Sequence, residues 1–344
     1  MDEFMAARWQ MGVSLGFHII FACIGMVMPW FMFVSEWKWL KTKKPVYMDL
    51  AKAWAKGVAI FFAVGAVSGT ILSFELGMLW PTFMEHAGPI FGLPFSWEGT
   101  AFFVEAIALG LWLYGWDRLT PRVHLFIGLV VGIAGVMSGV FVISANAWMN
   151  APAGFDWVNG QAENIDPVAA MFNRAWFHQT HHMTIAAFSA TGFAVAGVHA
   201  MLYMKTKYEV HAKAIKIALA FAAVAAILQP LSGDHAAKMV AKLQPAKLAA
   251  FESHFETSTR APLVIGGLPD TDEQKLNYAI KIPGALSFLA HGDFDAEVLG
   301  LEEFPREEWP PVLITHLAFQ VMVAIGFFLM FLGIIFLAGT YKWK

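Results

Sequence analysis

Long apolar runs separated by short polar segments dominate the amino-acid sequence. A helix needs roughly 20 apolar residues to cross about 30 Å of hydrocarbon, and seven of the runs are long enough. They cover residues 11–35, 55–80, 97–116, 123–147, 180–204, 214–231 and 312–340. Trp37, Trp116 and Trp148 lie at ends of these runs, as expected for an aromatic belt at the membrane interface. The pattern predicts an all-α integral membrane protein with about seven transmembrane helices.

The segments between the runs alternate in basic charge, and this alternation predicts the orientation. The second connecting segment, residues 81–96, contains no lysine or arginine, whereas the first, third and fifth are basic. Cytoplasmic loops carry the excess of basic residues, so these three are expected in the cytoplasm, with the N-terminus outside and the C-terminus inside. Their basic residues include Lys38, Lys41, Lys43, Lys44, Lys52, Arg118, Arg122, Lys205, Lys207 and Lys213.

One connecting segment is much longer than the others. Residues 232–311 separate the sixth and seventh runs, and the predicted topology places them outside the membrane. Long ordered segments between helices are usually functional. The string KLAAFESHFE at 247–256 predicts a short amphipathic helix within it. We therefore expect a single membrane domain over residues 1–344 that carries an external loop at 232–311.

Composition supports the membrane class and limits the available chemistry. Hydrophobic residues make up 58% of the chain and charged residues 14%, against about 25% charged in soluble proteins. The net charge of −3 and the absence of a basic tract exclude nucleic-acid binding. Cys23 is the only cysteine, which excludes an internal disulfide, a cysteine-ligated iron–sulfur cluster and a c-type haem attachment. A metal centre would therefore use histidine, methionine or carboxylate ligands.

Polar side chains inside the predicted spans are functional candidates, because burying them in lipid is costly. Those in the outer half of the membrane come from five different spans. Glu98 and Glu105 lie two helical turns apart, on one face and about 10 Å apart along the helix axis. Their spacing suits a proton relay or a carboxylate ligand backed by a relay; the alternative is two buried carboxylates bonded to neighbouring helices. The full set is His18, Glu75, Glu98, Glu105, His182 and Met322.

The histidines admit more than one role. His178 and His182 share a helix face and His181 does not; a neutral imidazole can ligate haem iron, with methionine on the opposite side. Spacing alone leaves open whether His182 pairs with Met322, and whether His18 is a ligand or a bridge between helices. The other histidines fall at span ends or in loops, where interfacial or solvated roles are expected. They are His86, His124, His199, His211, His235, His254, His291 and His316, the last sharing a face with the unassigned Gln320.

Short motifs in a fixed order carry a resemblance to a known family. They are RWQ at 8–10 followed by His18, FELG at 74–77, WEG at 97–99, AFFVE at 101–105, GWDRL at 115–119, NAWMN at 146–150, KLAAFE at 247–252, AIKIP at 279–283 and FQVMV at 319–323. Over residues 1 to about 340 the chain resembles subunit I of cytochrome bd quinol oxidase.

The resemblance implies a role for each matched residue. His182 and Met322 match the axial ligands of a low-spin haem b, and His18 matches a ligand of a high-spin haem b or of haem d. Arg8 belongs to the cofactor-binding motif that precedes His18. Glu98 and Glu105 match carboxylates of the family that deliver protons. Lys247 and Glu252 match its quinol-binding pair.

The implied activity is a quinol oxidase of the bacterial cytoplasmic membrane. Quinol would be oxidised at the outer face, and electrons would pass through haem b to a high-spin haem that reduces O2 to water. A second membrane subunit is expected to complete the enzyme. A non-redox transporter is disfavoured, because it would place discontinuous helices at mid-membrane, whereas these polar groups cluster near one face.

Two departures from the family pattern keep an alternative open. Gln320 stands where some family members have an arginine beside the low-spin haem. Family members also continue through two more helices with a further glutamate ligand, whereas this sequence ends at residue 344, so we expect either that a separate chain supplies them or that this chain works with fewer haems. The alternative is a haem b electron-transfer or quinol dehydrogenase subunit that does not itself reduce oxygen.

Overall fold

The computed structural model describes residues 2–342, and most of them are helical. The ten α-helices are α1 (Glu3–Thr42), α2 (Pro45–Leu79), α3 (Pro81–Tyr114), α4 (Pro121–Asn150), α5 (Pro167–Met171), α6 (Trp176–Thr206), α7 (Glu209–Leu243), α8 (Pro245–Glu252), α9 (Ala285–His291) and α10 (Val312–Lys342). Among the described residues, six helices are long and apolar enough to cross a membrane, namely α1, α2, α4, α6, α7 and α10. The predicted all-α membrane class is confirmed.

Helix α3 contains the third predicted span but is not one of these six. Glu98 and Glu105 lower its hydropathy below that of the other long helices. Residues 81–96, which were predicted as a connecting segment, form its first half. Proline at the first helical position favours this start, because that position needs no backbone N–H. Phe91 has non-helical torsion angles between Pro89 and Pro94, so the two halves are joined by a proline kink.

The chain divides into two compact units, and the first runs to Ala225. In this unit α1 packs on α2, α4 and α6, and α3 packs on α4. Its main core lies in the halves of these helices that the predicted topology places towards the cytoplasm, around Phe31, Leu50, Trp112 and Val131. A second cluster, around Phe91 and Trp148, holds the first half of α3 against the end of α4.

The segment between α4 and α6 carries a hairpin and the short helix α5. Strands β1 (Asp156–Val158) and β2 (Gln161–Glu163) pair in antiparallel fashion. Asn159 and Gly160 between them both have positive φ, as the tight turn of a two-residue hairpin requires.

The second unit begins at Ala226 and contains the end of α7 and the helix α10. Helix α7 continues to Leu243, twelve residues beyond the predicted end of the sixth span. Lys238 and Asp234, one turn apart with 2.6 Å between nitrogen and oxygen, form an ion pair that supports this extension. Helix α8 confirms the short helix predicted in KLAAFESHFE and ends at Glu252, since Ser253 adopts the left-handed conformation.

Three antiparallel strand pairs follow α8. They are β3 (Ser258–Thr259) with β8 (Glu297–Val298), β4 (Leu263–Ile265) with β7 (Ile280–Ile282), and β5 (Leu268–Asp270) with β6 (Lys275–Asn277). The β5–β6 hairpin is nested inside the β4–β7 pair. Within this unit α8 and β5 pack against α10, and small cores around Leu286 and Leu301 fill the spaces between them.

Candidate functional site

His18 lies on α1 and faces Ser68 of α2. Its Nδ1 atom is 2.9 Å from the Ser68 hydroxyl. When that hydroxyl donates to the carbonyl of Val64, 2.8 Å away, it accepts from His18, and the histidine then carries its proton on Nδ1. The lone pair of Nε2 is then available to a metal, in the tautomer that ligating histidines adopt. Gly69 permits this approach, because a Cβ atom there would lie 3.0 Å from Cε1 of His18.

Glu75 lies on the same α1–α2 contact, two turns from Ser68, and is 4% exposed. Its Oε1 atom accepts hydrogen bonds from Gln10 at 3.1 Å and Ser14 at 2.8 Å. The Oε2 atom is buried and has no hydrogen-bond partner among the described residues. The sequence pattern placed Glu75 in the outer half of the membrane. It did not predict the hydrogen bonds with Gln10 and Ser14, because contacts between two helices leave no pattern within either one.

Glu98 and Glu105 share the face of α3 that packs on α4, as their spacing predicted. Glu98 accepts a long hydrogen bond, 3.4 Å, from Ser138. Glu105 is 7% exposed and lies beside Gly135, where a Cβ atom would be 3.1 Å from its Oε1. Gly135 and Ser138 are one turn apart on α4. The two carboxyl groups therefore line one contact between two antiparallel helices.

His124 is buried, so a solvated role is wrong for this residue. Its Nδ1 atom lies 2.8 Å from Glu36 Oε1 and its Nε2 atom 2.8 Å from the carbonyl of Trp112. The indole of Trp112 donates to the other oxygen of Glu36 at 3.0 Å. All three side chains are almost fully buried at the inner ends of α1, α3 and α4. Because the three side chains come from three helices, no spacing within one helix could have indicated this cluster.

The histidines of α6 keep the faces that their spacing predicted. His178 is buried and His182, one turn later, is half-buried. His181 points elsewhere: its Nδ1 atom lies 2.6 Å from the carbonyl of Phe177, and its ring stacks on the Phe177 ring. Arg8 is exposed on α1, with its guanidinium 4.5 Å from the centre of the Phe4 ring.

In the second unit Met322 lies on α10 and is 52% exposed. Among the described residues, no three histidine, cysteine or acidic side chains are grouped to hold a metal ion. A porphyrin iron, however, needs only one or two axial protein ligands. The donor types of His18, His182 and Met322 fit that requirement.

Helix α8 carries both residues of the predicted quinol-binding pair. Glu252 is 1% exposed, and its Oε2 atom accepts a hydrogen bond from the backbone N–H of Val264 at 3.2 Å. Burial raises the pKa of Glu252 to about 7, although the Val264 hydrogen bond opposes the rise. Lys247 is half-buried, with Nζ 3.3 Å from the side-chain oxygen of Gln244, and burial lowers its pKa. A carboxyl group that titrates near neutral pH suits a proton acceptor.

His316 and Gln320 share a face of α10 and contact backbone groups of the external segment 232–311. His316 is fully buried, so a solvated role is also wrong for this residue. Its Nδ1 and Nε2 atoms lie 2.8 Å and 3.2 Å from the carbonyls of Phe251 and Gly266. Gln320 accepts from the N–H of Gly266 at 3.0 Å and donates to the carbonyl of Val264 at 3.1 Å. These partners lie fifty or more residues away along the chain, beyond the reach of a periodic pattern.

Comparison with known proteins identifies relatives over nearly the whole chain. The family model described as "Cytochrome bd terminal oxidase subunit I" matches residues 6–344. A candidate cytochrome bd menaquinol oxidase subunit I of Bacillus subtilis (strain 168) is 41% identical over 340 residues, covering 97% of this chain and 76% of the relative. The cytochrome bd ubiquinol oxidase subunit 1 of the same organism is 32% identical, covering 95% of this chain and 72% of the relative.

A solved structure shares the fold. A chain of the bd oxidase from Geobacillus thermodenitrificans superposes with a TM-score of 0.93 at 39% sequence identity. The match covers 98% of this chain and 78% of the solved one.

Proposed function

The chain belongs to the cytochrome bd terminal oxidase subunit I family, and from that membership we propose that it is the haem-binding catalytic subunit of a bd-type quinol oxidase. It is a multi-pass protein of the bacterial cytoplasmic membrane. The observation that carries the proposal is the family match over residues 6–344 together with 41% identity to a quinol oxidase subunit. The substrates are quinol and O2, and a second membrane subunit completes the enzyme.

The proposed haem ligands are His182 and Met322 for a low-spin haem b, and His18 for a high-spin haem. When bound, haem iron supplies one-electron transfer and the centre at which oxygen is reduced. The support for His18 is its contact with Ser68, 2.9 Å from Nδ1, because a hydroxyl that accepts the Nδ1 proton leaves the Nε2 lone pair for a metal. Arg8 belongs to the motif before His18 and would contribute to binding the cofactor.

Quinol oxidation is proposed to occur beside α8, on the outer side of the membrane. Glu252 accepts a proton from the quinol hydroxyl, because its buried carboxyl group has a pKa of about 7 and therefore exchanges protons at neutral pH. Lys247 contributes a hydrogen-bond donor on the same helix. The proton is then released outside.

Protons for oxygen reduction are proposed to come from the cytoplasm past Glu105 and then Glu98. Both carboxyl groups face α4, with Gly135 and Ser138 opposite them. Releasing quinol protons outside and taking up protons from inside separates charge across the membrane without a pump.

The test is spectroscopic and enzymatic, on the oxidase complex purified with its partner subunit. His182→Ala and Met322→Leu should each abolish the low-spin haem b band in reduced-minus-oxidised spectra. His181→Ala and Met330→Leu are matched controls on the same helices and should retain the band. If the band persists when either proposed ligand is replaced, the ligand assignment is wrong.

Oxygen consumption with a reduced quinol distinguishes the oxidase from the alternative. An oxidase consumes O2 in proportion to quinol oxidised, whereas an electron-transfer subunit oxidises quinol only with an added acceptor. Extracting the haem as its pyridine complex would show whether the high-spin site holds haem b or haem d.

A further inference from the structure

Two polar side chains of α10 that the proposed mechanism does not use contact the loop that carries Glu252. His316 and Gln320 lie one turn apart on the buried face of the helix. Between them they lie within hydrogen-bonding distance of three backbone carbonyls and one backbone N–H, which belong to Phe251, Val264 and Gly266. Every one of these contacts is within the second unit.

The Val264 peptide groups connect α10 to Glu252. Val264 donates its N–H to Glu252 Oε2 at 3.2 Å, and its carbonyl accepts from the Gln320 amide at 3.1 Å. Val264 is opposite Lys281 in the β4–β7 pair, but its own polar groups point to α8 and α10. A single residue therefore joins the buried carboxylate to the long helix.

Phe251, the neighbour of Glu252, is held by the same helix. Its carbonyl lies 2.8 Å from His316 Nδ1, and its ring stacks on Phe319 with 4.6 Å between centroids and 4° between planes. Glu252 is thus fixed on one side through Phe251 and on the other through Val264. Residues 316, 319 and 320 of α10 supply both contacts.

The residue types match their partners closely. Gln320 uses the oxygen of its amide as an acceptor for the Gly266 N–H and the nitrogen as a donor to the Val264 carbonyl. Gly266 has φ of 67°, a conformation that favours glycine, and it presents its N–H and its carbonyl to α10. Apolar packing alone would require neither the amide nor the imidazole.

We propose that His316 and Gln320 are positioning residues that hold Glu252 in place for quinol and join the quinol-binding loop to α10, the helix that carries Met322. This inference rests on the proposed function of Glu252. It predicts that loosening the Val264–Gly266 segment weakens quinol oxidation while the haem centres remain intact.

The experiment uses the purified oxidase complex carrying Gln320→Met, which keeps side-chain length and removes both hydrogen bonds. We expect kcat/KM for quinol to fall at least about tenfold, because two hydrogen bonds to backbone groups are lost. Haem content should be unchanged, and amide hydrogen exchange in a peptide covering 263–266 should accelerate. His316→Leu should act in the same direction.

Gln320→Glu keeps the acceptor for Gly266 and should fall between wild type and Gln320→Met. Val321→Ala, at the neighbouring and 56% exposed position, is the matched control and should change neither readout. An unchanged kcat/KM in Gln320→Met overturns the proposal, whether or not exchange accelerates. An equal effect of Val321→Ala also overturns it.

Measuring kcat/KM for quinol in Glu252→Gln distinguishes a failure of the positioning role from a failure of the proposed role of Glu252. If Glu252→Gln leaves kcat/KM for quinol unchanged, the role of Glu252 in quinol oxidation is wrong, and the positioning role is wrong with it. If Glu252→Gln lowers kcat/KM and Gln320→Met does not, the positioning role alone is wrong.

Discussion

The burial of Glu252 determines how quinol oxidation should depend on pH. Burial raises the pKa of Glu252 to about 7, so the carboxyl group is protonated, and cannot accept a proton, below that pH. We expect kcat/KM for quinol to fall as the pH drops through about 7, and Glu252→Gln to remove that limb. The nearby Lys247 and His254 have pKa values lowered by burial, so their titration is tested with Lys247→Met and His254→Gln. If kcat/KM in Glu252→Gln still falls as the pH drops through about 7, another group is responsible for the pH dependence.

Ser68 should control how well His18 binds haem. Ser68→Ala removes the hydroxyl that lies 2.9 Å from Nδ1, and such partners of ligating histidines are worth roughly 10- to 100-fold in metal affinity. We expect a lower ratio of high-spin haem to protein by haem extraction, with the low-spin band unchanged. Ser73→Ala, on the same helix and bonded only to the carbonyl of Gly69, should retain full haem content.

The pair of Glu36 and His124 should contribute more to stability than any exposed ion pair in the chain. Removing His124 would leave Glu36 Oε1 and the carbonyl of Trp112 buried without this partner, and a buried polar group that loses its partner typically costs about 1–3 kcal/mol. We expect His124→Ala to lower the thermal unfolding temperature of the detergent-solubilised complex sharply. Lys275→Ala, which breaks an exposed pair with Glu273, should cost less than about 1 kcal/mol. Equal effects of the two would contradict the role of burial.

At the scale of helices, the α3–α4 contact depends on a small residue at position 135. A valine there would push its side chain into Glu105, since even a Cβ atom would lie 3.1 Å from the carboxyl oxygen. We expect Gly135→Val to slow proton uptake during oxygen reduction at least about tenfold by displacing a relay group. Flash-initiated proton uptake measures this, with the low-spin haem band unchanged. Gly110→Ala, with open space around its Cβ, is the control.

The sequence predicted the existence of the long helices better than the residues at which they begin and end. Apolar length alone identified the long spans, because a run such as 312–340 cannot be solvated by water. The first half of α3 and the extension of α7 were missed. Both are stabilised by contacts that hydropathy does not record: packing of Phe91 on Trp148 in α3 and the Lys238–Asp234 pair in α7.

The candidate site was predictable where the signal lay within one helix. The spacing of Glu98 and Glu105 predicted that they share a face of α3. The spacing of His178 and His182 predicted in the same way that they share a face of α6. The partners of His18, His124 and His316 could not be predicted, because they are side chains and carbonyls from other elements. Backbone carbonyls in particular carry no residue identity that a sequence pattern could reveal.

At the scale of the whole molecule, much of the outer part of the first unit is apolar and exposed. Val13 and Phe17 on α1 and Val67 and Phe74 on α2 are each at least half exposed. Large exposed apolar surface on a membrane protein contacts lipid or protein partners. The second subunit expected of a quinol oxidase would use such a surface.

The link through Val264 also limits where the external segment can change in length. Adding one residue between Glu252 and Gly266 would shift the register of β4 by one. The N–H and the carbonyl of Val264, which now bind Glu252 and Gln320, would then point away from them. The β5–β6 turn at 271–274 lies beyond that link, and its contact with Arg306 is exposed and weak. Insertions, epitope tags and fluorescent labels should therefore be tolerated at this turn and should inactivate the enzyme when placed a few residues earlier.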